Sequence, residues 1–212
     1  MVAPMVRGGD LGREEAVMRL VLASTSPQRR AILEQLRIPF DVVVPAYEEH
    51  DPPDADPVQL VLAHAEGKAL SVHEAGSITL GVDTTVHLGG RLFGKPEDET
   101  GARAMLGALA GATHLVVSGL CLLGPGFSVL DHTVTRVTFR SLAVAEIDEY
   151  VSTGEWRGRA GGYAIQGLGA RLVAGIDGDY LNVVGLPATL LVDALAAQAP
   201  KVLQIRPDAV PG

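Results

Sequence analysis

The 212-residue chain carries 25 Asp and Glu against 17 Lys and Arg, a net charge of −8 with pI near 5.2, which argues against a protein whose main task is coating nucleic acid. Hydrophobic residues at 47% and charged residues at 20% describe a globular chain with length for one larger domain or two small lobes. No apolar run reaches the roughly 18 residues of a membrane span, and the single cysteine, Cys121 in LVVSGLCLL, fits a reducing cytoplasm.

Residues 1–18 lack the apolar centre of a signal peptide and read as a flexible leader, with Met18 as a candidate natural start. Residues 19–23 read as a buried strand, and STSPQRR then opens a helix over 27–37 with Pro27 in its first turn. A strand–helix turn of this kind aims free backbone N–H groups and the positive end of the helix dipole at whatever precedes the helix. Ser24 and Ser26 add hydroxyls, and Arg29 or Arg30 can grip phosphate in a fork. The plainer alternative is that Ser26 caps the helix and the arginines are solvated. Glycine and lysine are missing at the spacing of a P-loop.

A second strand over 40–44 leads into the acidic, proline-rich loop PAYEEHDPPDADP. Its Glu48 and Glu49, together with Asp98 further on, are the oxygen ligands Mg²⁺ prefers beside substrate phosphates, or else solvated surface acids. Asp56 caps a helix over 57–73 that carries Lys68. The run SITLGVD predicts a strand ending at Asp83, where ligand sites of α/β sheets lie, followed by a hairpin, TTVHL–GG–RLF. A carboxylate at that strand end must be paired, metal-bound or catalytic, unless it only caps a turn with Thr84 and Thr85. Lys95 precedes a proline in FGKPED, which holds its backbone extended and lets it point into a cleft.

Residues 98–110 show the 3-4 apolar spacing of a helix, and two long strands follow around Gly124-Pro125-Gly126. After a helix over 145–152 comes the glycine-rich GGYAIQGLGARL, whose Gln166 offers a donor and an acceptor suited to a base edge. A short hairpin over RLVAGIDGDYLNVVG, a last helix over 187–197 and a tail over 198–212 complete the chain. The six histidines show no zinc spacing, and no serine-hydrolase triad stands out. Interleaved strands and helices with several hairpins predict an α/β fold with a mixed, mostly antiparallel sheet flanked by helices.

The succession LVLASTSPQRRAILEQL, GVDTTV, GKPED, THLVVSGLCLL, GGYAIQGLGARL and VVGLPATLLVDAL resembles the Maf family of nucleoside triphosphate pyrophosphatases, once named septum-formation inhibitors, over residues 19–197. The resemblance implies one domain of two lobes around a cleft, related to the inosine triphosphate pyrophosphatases. It implies hydrolysis of a nucleoside triphosphate to monophosphate and pyrophosphate with a divalent metal, Mg²⁺ or Mn²⁺. By motif, Asp83 matches the catalytic acid–base position and Glu49 the acid after the second strand. Ser24 and Arg29 match the phosphate turn, and Lys68, Lys95 and Asp98 the other charged cleft positions, so Glu49, Asp83 and Asp98 are the expected metal ligands. The branch acting on dTTP and UTP carries Arg after the S-P pair, Thr after the catalytic Asp and Gln in the late motif; this chain has Gln28, Thr84 and Gln166 there. Gly67 is a second departure, at a position where many members have Glu. The family's habit of pairing makes a homodimer an expectation. An inosine or xanthosine triphosphatase, or a non-enzymatic cell-division regulator, are the competing readings.

Overall fold

A computed structural model describes residues 19–52 and 55–204; the expected leader and residues 205–212 of the expected tail lie outside the described residues. One seven-stranded sheet organises the chain in the order β2 (Phe40–Val43), β1 (Leu20–Ala23), β3 (Ile78–Leu88), β5 (Thr113–Gly124), β6 (Phe127–Phe139) and β7 (Val173–Asp177), with β4 (Arg91–Phe93) on the far end of β3. β1 runs parallel to both β2 and β3, and every other pairing is antiparallel. The sheet is thus mixed, with its parallel part confined to one end.

The helices are α1 (Pro27–Gln35), α2 (Pro57–Leu70), α3 (Glu99–Leu109), α4 (Val144–Ser152), α5 (Tyr180–Val184) and α6 (Ala188–Gln198). Among the described residues none is long and apolar enough to cross a membrane. Helix starts follow their caps: Ser26 accepts from Arg29 N, Asp56 from Val58 and Gln59 N, and Asp98 from Gly101 N.

Three expectations change. β3 does not end at Asp83 but continues to Leu88, because β5 pairs with it without a break from Thr79 to His87. The polar run Asp83-Thr84-Thr85, for which a capped turn is the alternative reading, is the middle of a largely buried strand. The second half of the expected hairpin over 171–185 is instead helix α5, since Asp179 Oδ1 accepts from Leu181 and Asn182 N and caps it. Pro200–Leu203, assigned to the tail, forms a 3-10 turn whose Val202 is buried against α6 and the sheet.

Two apolar clusters flank the centre. One gathers Leu20, Leu22, Leu33, Leu80, Leu191 and Leu195; the other gathers Phe93, Leu106, Val137, Phe139, Tyr150 and Trp156. On one side of β3, β1 pairs as far as Gly81 and β4 begins only at Val86. Val82 to Thr85 therefore have a strand neighbour on the β5 side alone, and the sheet opens between the two clusters at Asp83.

Candidate active site

The open edge of β3 lies in a cleft of about 520 Å³, within the usual range of small-molecule sites. α2 crosses this part of the sheet at close range because Gly81 and Gly119 have no side chain: a Cβ on either would overlap the backbone of α2 at Ala65 or Val61. That approach brings His64 and Lys68, one helical turn apart, down onto Asp83. Lys68 Nζ lies 2.6 Å from Asp83 Oδ1 and 2.5 Å from Glu49 Oε1, so one buried ammonium bridges two carboxylates from two different elements. His64 Nδ1 lies 3.5 Å from Asp83 Oδ2, and its Nε2 faces the His50 carbonyl at 3.3 Å and Asp51 at 3.6 Å.

Burial by itself would raise the Asp83 carboxyl, but the His64 hydrogen bond and the charges of Lys68 and Arg29 outweigh it and hold the group well below the usual carboxylate range. Asp83 is thus ionised throughout the neutral range. Its hydrogen bond also pushes His64 up from its ordinary value.

The β1–α1 turn forms the facing wall. Ser24 Oγ, itself buried, accepts from Ser26 N and from Arg29 Nη1, each at 3.1 Å. Arg29 also donates from Nε to the Gly185 carbonyl at 2.9 Å and from Nη2 to Thr84 Oγ1 at 3.4 Å. Thr84 in turn shares a 2.9 Å hydrogen bond with Ser118. Gln28 lines the same wall and accepts from Ser26 Oγ. The third wall is Lys95 with the glycine-rich segment, through Arg159, Tyr163 and the exposed Gln166. Gly161 N donates to Gly94 O at 3.0 Å and ties that segment to the backbone carrying Lys95.

The fold thus brings Ser24, Gln28, Arg29, Glu49, Lys68, Asp83, Thr84, Lys95 and Gln166 into one cleft. Asp98 is the exception. It is exposed, caps α3 through a 2.7 Å bond to Gly101 N, and is absent from the cleft lining. Instead of Asp98, His64 stands beside the other two acids: ligand atoms of Glu49, His64 and Asp83 all lie within 4.8 Å of one another. This donor set, two carboxylates and an imidazole, fits a divalent cation. Three features at or beside the cleft escaped the sequence reading: Arg159 in its lining, His64 beside Asp83, and the Tyr47 ring that packs edge-on against His64 at 5.7 Å. His64 left one trace, its spacing of four from Lys68 on a helix whose other buried residues are Val61, Ala65 and Ala69.

The family described as Maf-like protein matches residues 19–198. Among curated relatives, the dTTP/UTP pyrophosphatase of Gloeobacter violaceus is 46% identical over 84% of this chain and 95% of its own. The dTTP/UTP pyrophosphatase of Pyrococcus furiosus is 42% identical over 82% and 92%. Among solved structures, a HAM1 protein from Coxiella burnetii covers 57% of this chain and 73% of its own, at 15% identity and a TM-score of 0.41.

Proposed function

This chain belongs to the Maf-like protein family, and from that premise we propose that it is a metal-dependent dTTP/UTP pyrophosphatase acting at the cleft around Asp83. The observation that carries this reading is the bridge Glu49–Lys68–Asp83 on the open edge of β3, opposite the Ser24–Arg29 turn. A nucleotide cleft needs carboxylates for water or metal and fixed cations for phosphates, and both stand here within one pocket.

In the reaction, the oxygen of a water bonds to the α-phosphorus. The bond from that phosphorus to the bridging oxygen breaks, pyrophosphate leaves with that oxygen, and the water's proton passes toward Asp83. A carboxylate held by Lys68 and His64 is a weak base, and catalytic bases work best when their pKa nears the operating pH. Substrate phosphates compete for the Lys68 ammonium. As Lys68 turns to them, Asp83 loses a cationic partner and its basicity rises at the moment it is needed.

Glu49, His64 and Asp83 are the residues that would hold a divalent metal, Mg²⁺ or Mn²⁺. Such an ion supplies charge neutralisation to the triphosphate. Arg29, fixed by Ser24, Thr84 and Gly185, presents a preset guanidinium to the phosphates. Thr84 acts chiefly by holding Arg29, and the exposed amide of Gln166 reads the pyrimidine edge. Cys121 is buried and its thiol pushed up to about 12 by burial, so it stays an unreactive thiol. That state, with a nucleotide substrate, supports a cytoplasmic enzyme, and a homodimer is part of the same reading.

The test is pyrophosphate release from a panel of triphosphates with Mg²⁺ or Mn²⁺. Preference for dTTP and UTP of about tenfold or more over inosine and xanthosine triphosphates is expected. A reversed preference transfers the chain to the inosine triphosphatase class, and no release from any nucleotide sinks the enzyme reading.

A further inference from the structure

Four cations line the cleft, and they are not equally engaged. Lys68 bridges two carboxylates, and Arg29 donates to Ser24, Thr84 and Gly185. Among the described residues, no ion pair or hydrogen bond engages the side chains of Lys95 or Arg159. Arg159 is the more telling of the two, because its Nε is fully buried and without a hydrogen-bond partner. Among the described residues two other buried side-chain atoms share that state, His114 Nδ1 and Asn182 Oδ1, but neither residue lines the cleft. A buried unpaired donor carries a desolvation cost that a ligand atom would remove.

The backbone holds Arg159 in this posture. Its N–H donates to Trp156 O at 3.2 Å, and its carbonyl accepts from Gly162 N at 3.1 Å. Trp156 and Tyr163, on either side, are buried in the second apolar cluster. The neighbouring arginine goes elsewhere: the Arg157 guanidinium stacks over the Trp156 ring at 4.7 Å. Of two arginines two positions apart, one covers an aromatic ring and the other turns into the cleft. The bond from Gly161 N to Gly94 O anchors the Arg159 segment to the chain that carries Lys95.

We propose that Arg159 is the pyrophosphate-side ligand of the cleft, taking the non-bridging oxygens of the β- and γ-phosphates together with Lys95. This rests on the pyrophosphatase reading above. The α-phosphorus must lie at Asp83, where Lys68 and Arg29 already supply positive charge. A triphosphate brings further negative charge beyond that point, and the uncommitted cations stand on the wall of Lys95 and Arg159. A pyrimidine base is neutral, whereas a guanidinium fork matches phosphate oxygens in charge and geometry.

Calorimetry on the full-length chain with Mg²⁺ compares binding of inorganic pyrophosphate with binding of thymidine monophosphate. Arg159→Gln is expected to weaken pyrophosphate at least tenfold and leave the monophosphate within twofold, while Arg159→Lys recovers most of the loss. In turnover, kcat/KM for dTTP falls at least tenfold with the dTTP-to-dCTP ratio unchanged. Equal loss for both ligands, a shifted base ratio, or unchanged pyrophosphate affinity overturns the proposal. Should the Gln variant fail to fold, the Lys variant decides, since a loss beyond tenfold with the charge retained also overturns it. If the wild type binds pyrophosphate through Arg159 yet releases none from any triphosphate, the enzyme reading falls and the ligand assignment stands.

Discussion

The ring of Tyr47 occupies the space that a side chain at Gly67 would fill: a Cβ on Gly67 would come within 2.6 Å of Tyr47 Cδ2 and Cζ. The same ring, two residues before Glu49 in the chain, packs edge-on against His64. Gly67, where the resemblance implies Glu, therefore has a local counterpart in Tyr47. Glycine inside α2 costs about 1 kcal/mol of helix propensity relative to alanine. Gly67→Ala is expected to recover part of that while pushing Tyr47 outward and loosening the Glu49 loop. Turnover should fall several-fold with little change in melting temperature. Adding Tyr47→Ala should make the Gly67→Ala step neutral in turnover, and two independent, additive losses would count against the packing argument.

Removing Lys68 leaves Glu49 and Asp83 facing each other without their shared ammonium. Breaking a buried pair by deleting one partner costs on the order of 3–5 kcal/mol, and the partial exposure of Glu49 places Lys68→Met at about 2–3 kcal/mol. Asp83 then loses one of the charges that hold its carboxyl down. Denaturant unfolding at neutral pH measures the cost. Asp83→Asn should preserve the Lys68–Glu49 contact and lose less stability, yet reduce turnover by about 10²-fold or more. Near wild-type turnover in Asp83→Asn would displace Asp83 from the reaction.

The parts of this site that were legible in the sequence are those tied to local chemistry. A proline after a serine cap, an apolar run before Asp83 and a lysine before proline each leave a mark within a few residues. Asp98 was misplaced because an acid that opens a helix reads alike as a cap or a ligand, and only its bond to Gly101 N separates the two. His64 was missed because its partners come from elsewhere: Asp83 lies 19 positions downstream, and Glu49 belongs to another loop. The continuation of β3 through Asp83 was hidden for a related reason. Three polar residues resemble a turn until β5 pairs across them. Tertiary pairing, absent from any local window, decided each of these.

Gln28 stands where the resemblance implies arginine, and its side chain accepts from Ser26 Oγ on the wall of the β1–α1 turn. Gln28→Arg adds a fifth cation to the cleft lining. A charge-assisted contact to phosphate is worth roughly 1.5–3 kcal/mol when buried and less at a half-exposed position. The KM for dTTP is therefore expected to fall about threefold to tenfold in steady-state assays, with the Ser26 cap on α1 retained. An unchanged KM, or one that rises, would show that position 28 does not face the nucleotide.

Acid sensitivity should trace to His114 behind the cleft rather than to the carboxylates in it. His114 is fully buried on β5, shares a 2.9 Å hydrogen bond with Tyr163 and packs edge-on against Phe139. Burial lowers it from the ordinary 6.5 to about 4, so the folded protein keeps it neutral where the unfolded chain binds a proton. Stability from this group is present above the unfolded value and is lost as pH falls from 6.5 toward about 4. At about 1.4 kcal/mol per pH unit for one proton, the loss between neutral pH and pH 5 is about 2 kcal/mol. His114→Gln cannot take up that proton. The stability difference between wild type and this variant, from urea midpoints, should shrink by about that amount as the pH is lowered. Parallel pH profiles for the two proteins would exclude His114 as the source. Because Tyr163 lines the cleft and leans on His114, the loss of order below pH 5 should start at the glycine-rich wall, ahead of the bridge at Asp83. Hydrogen exchange at Tyr163 and Ala164 would record it first.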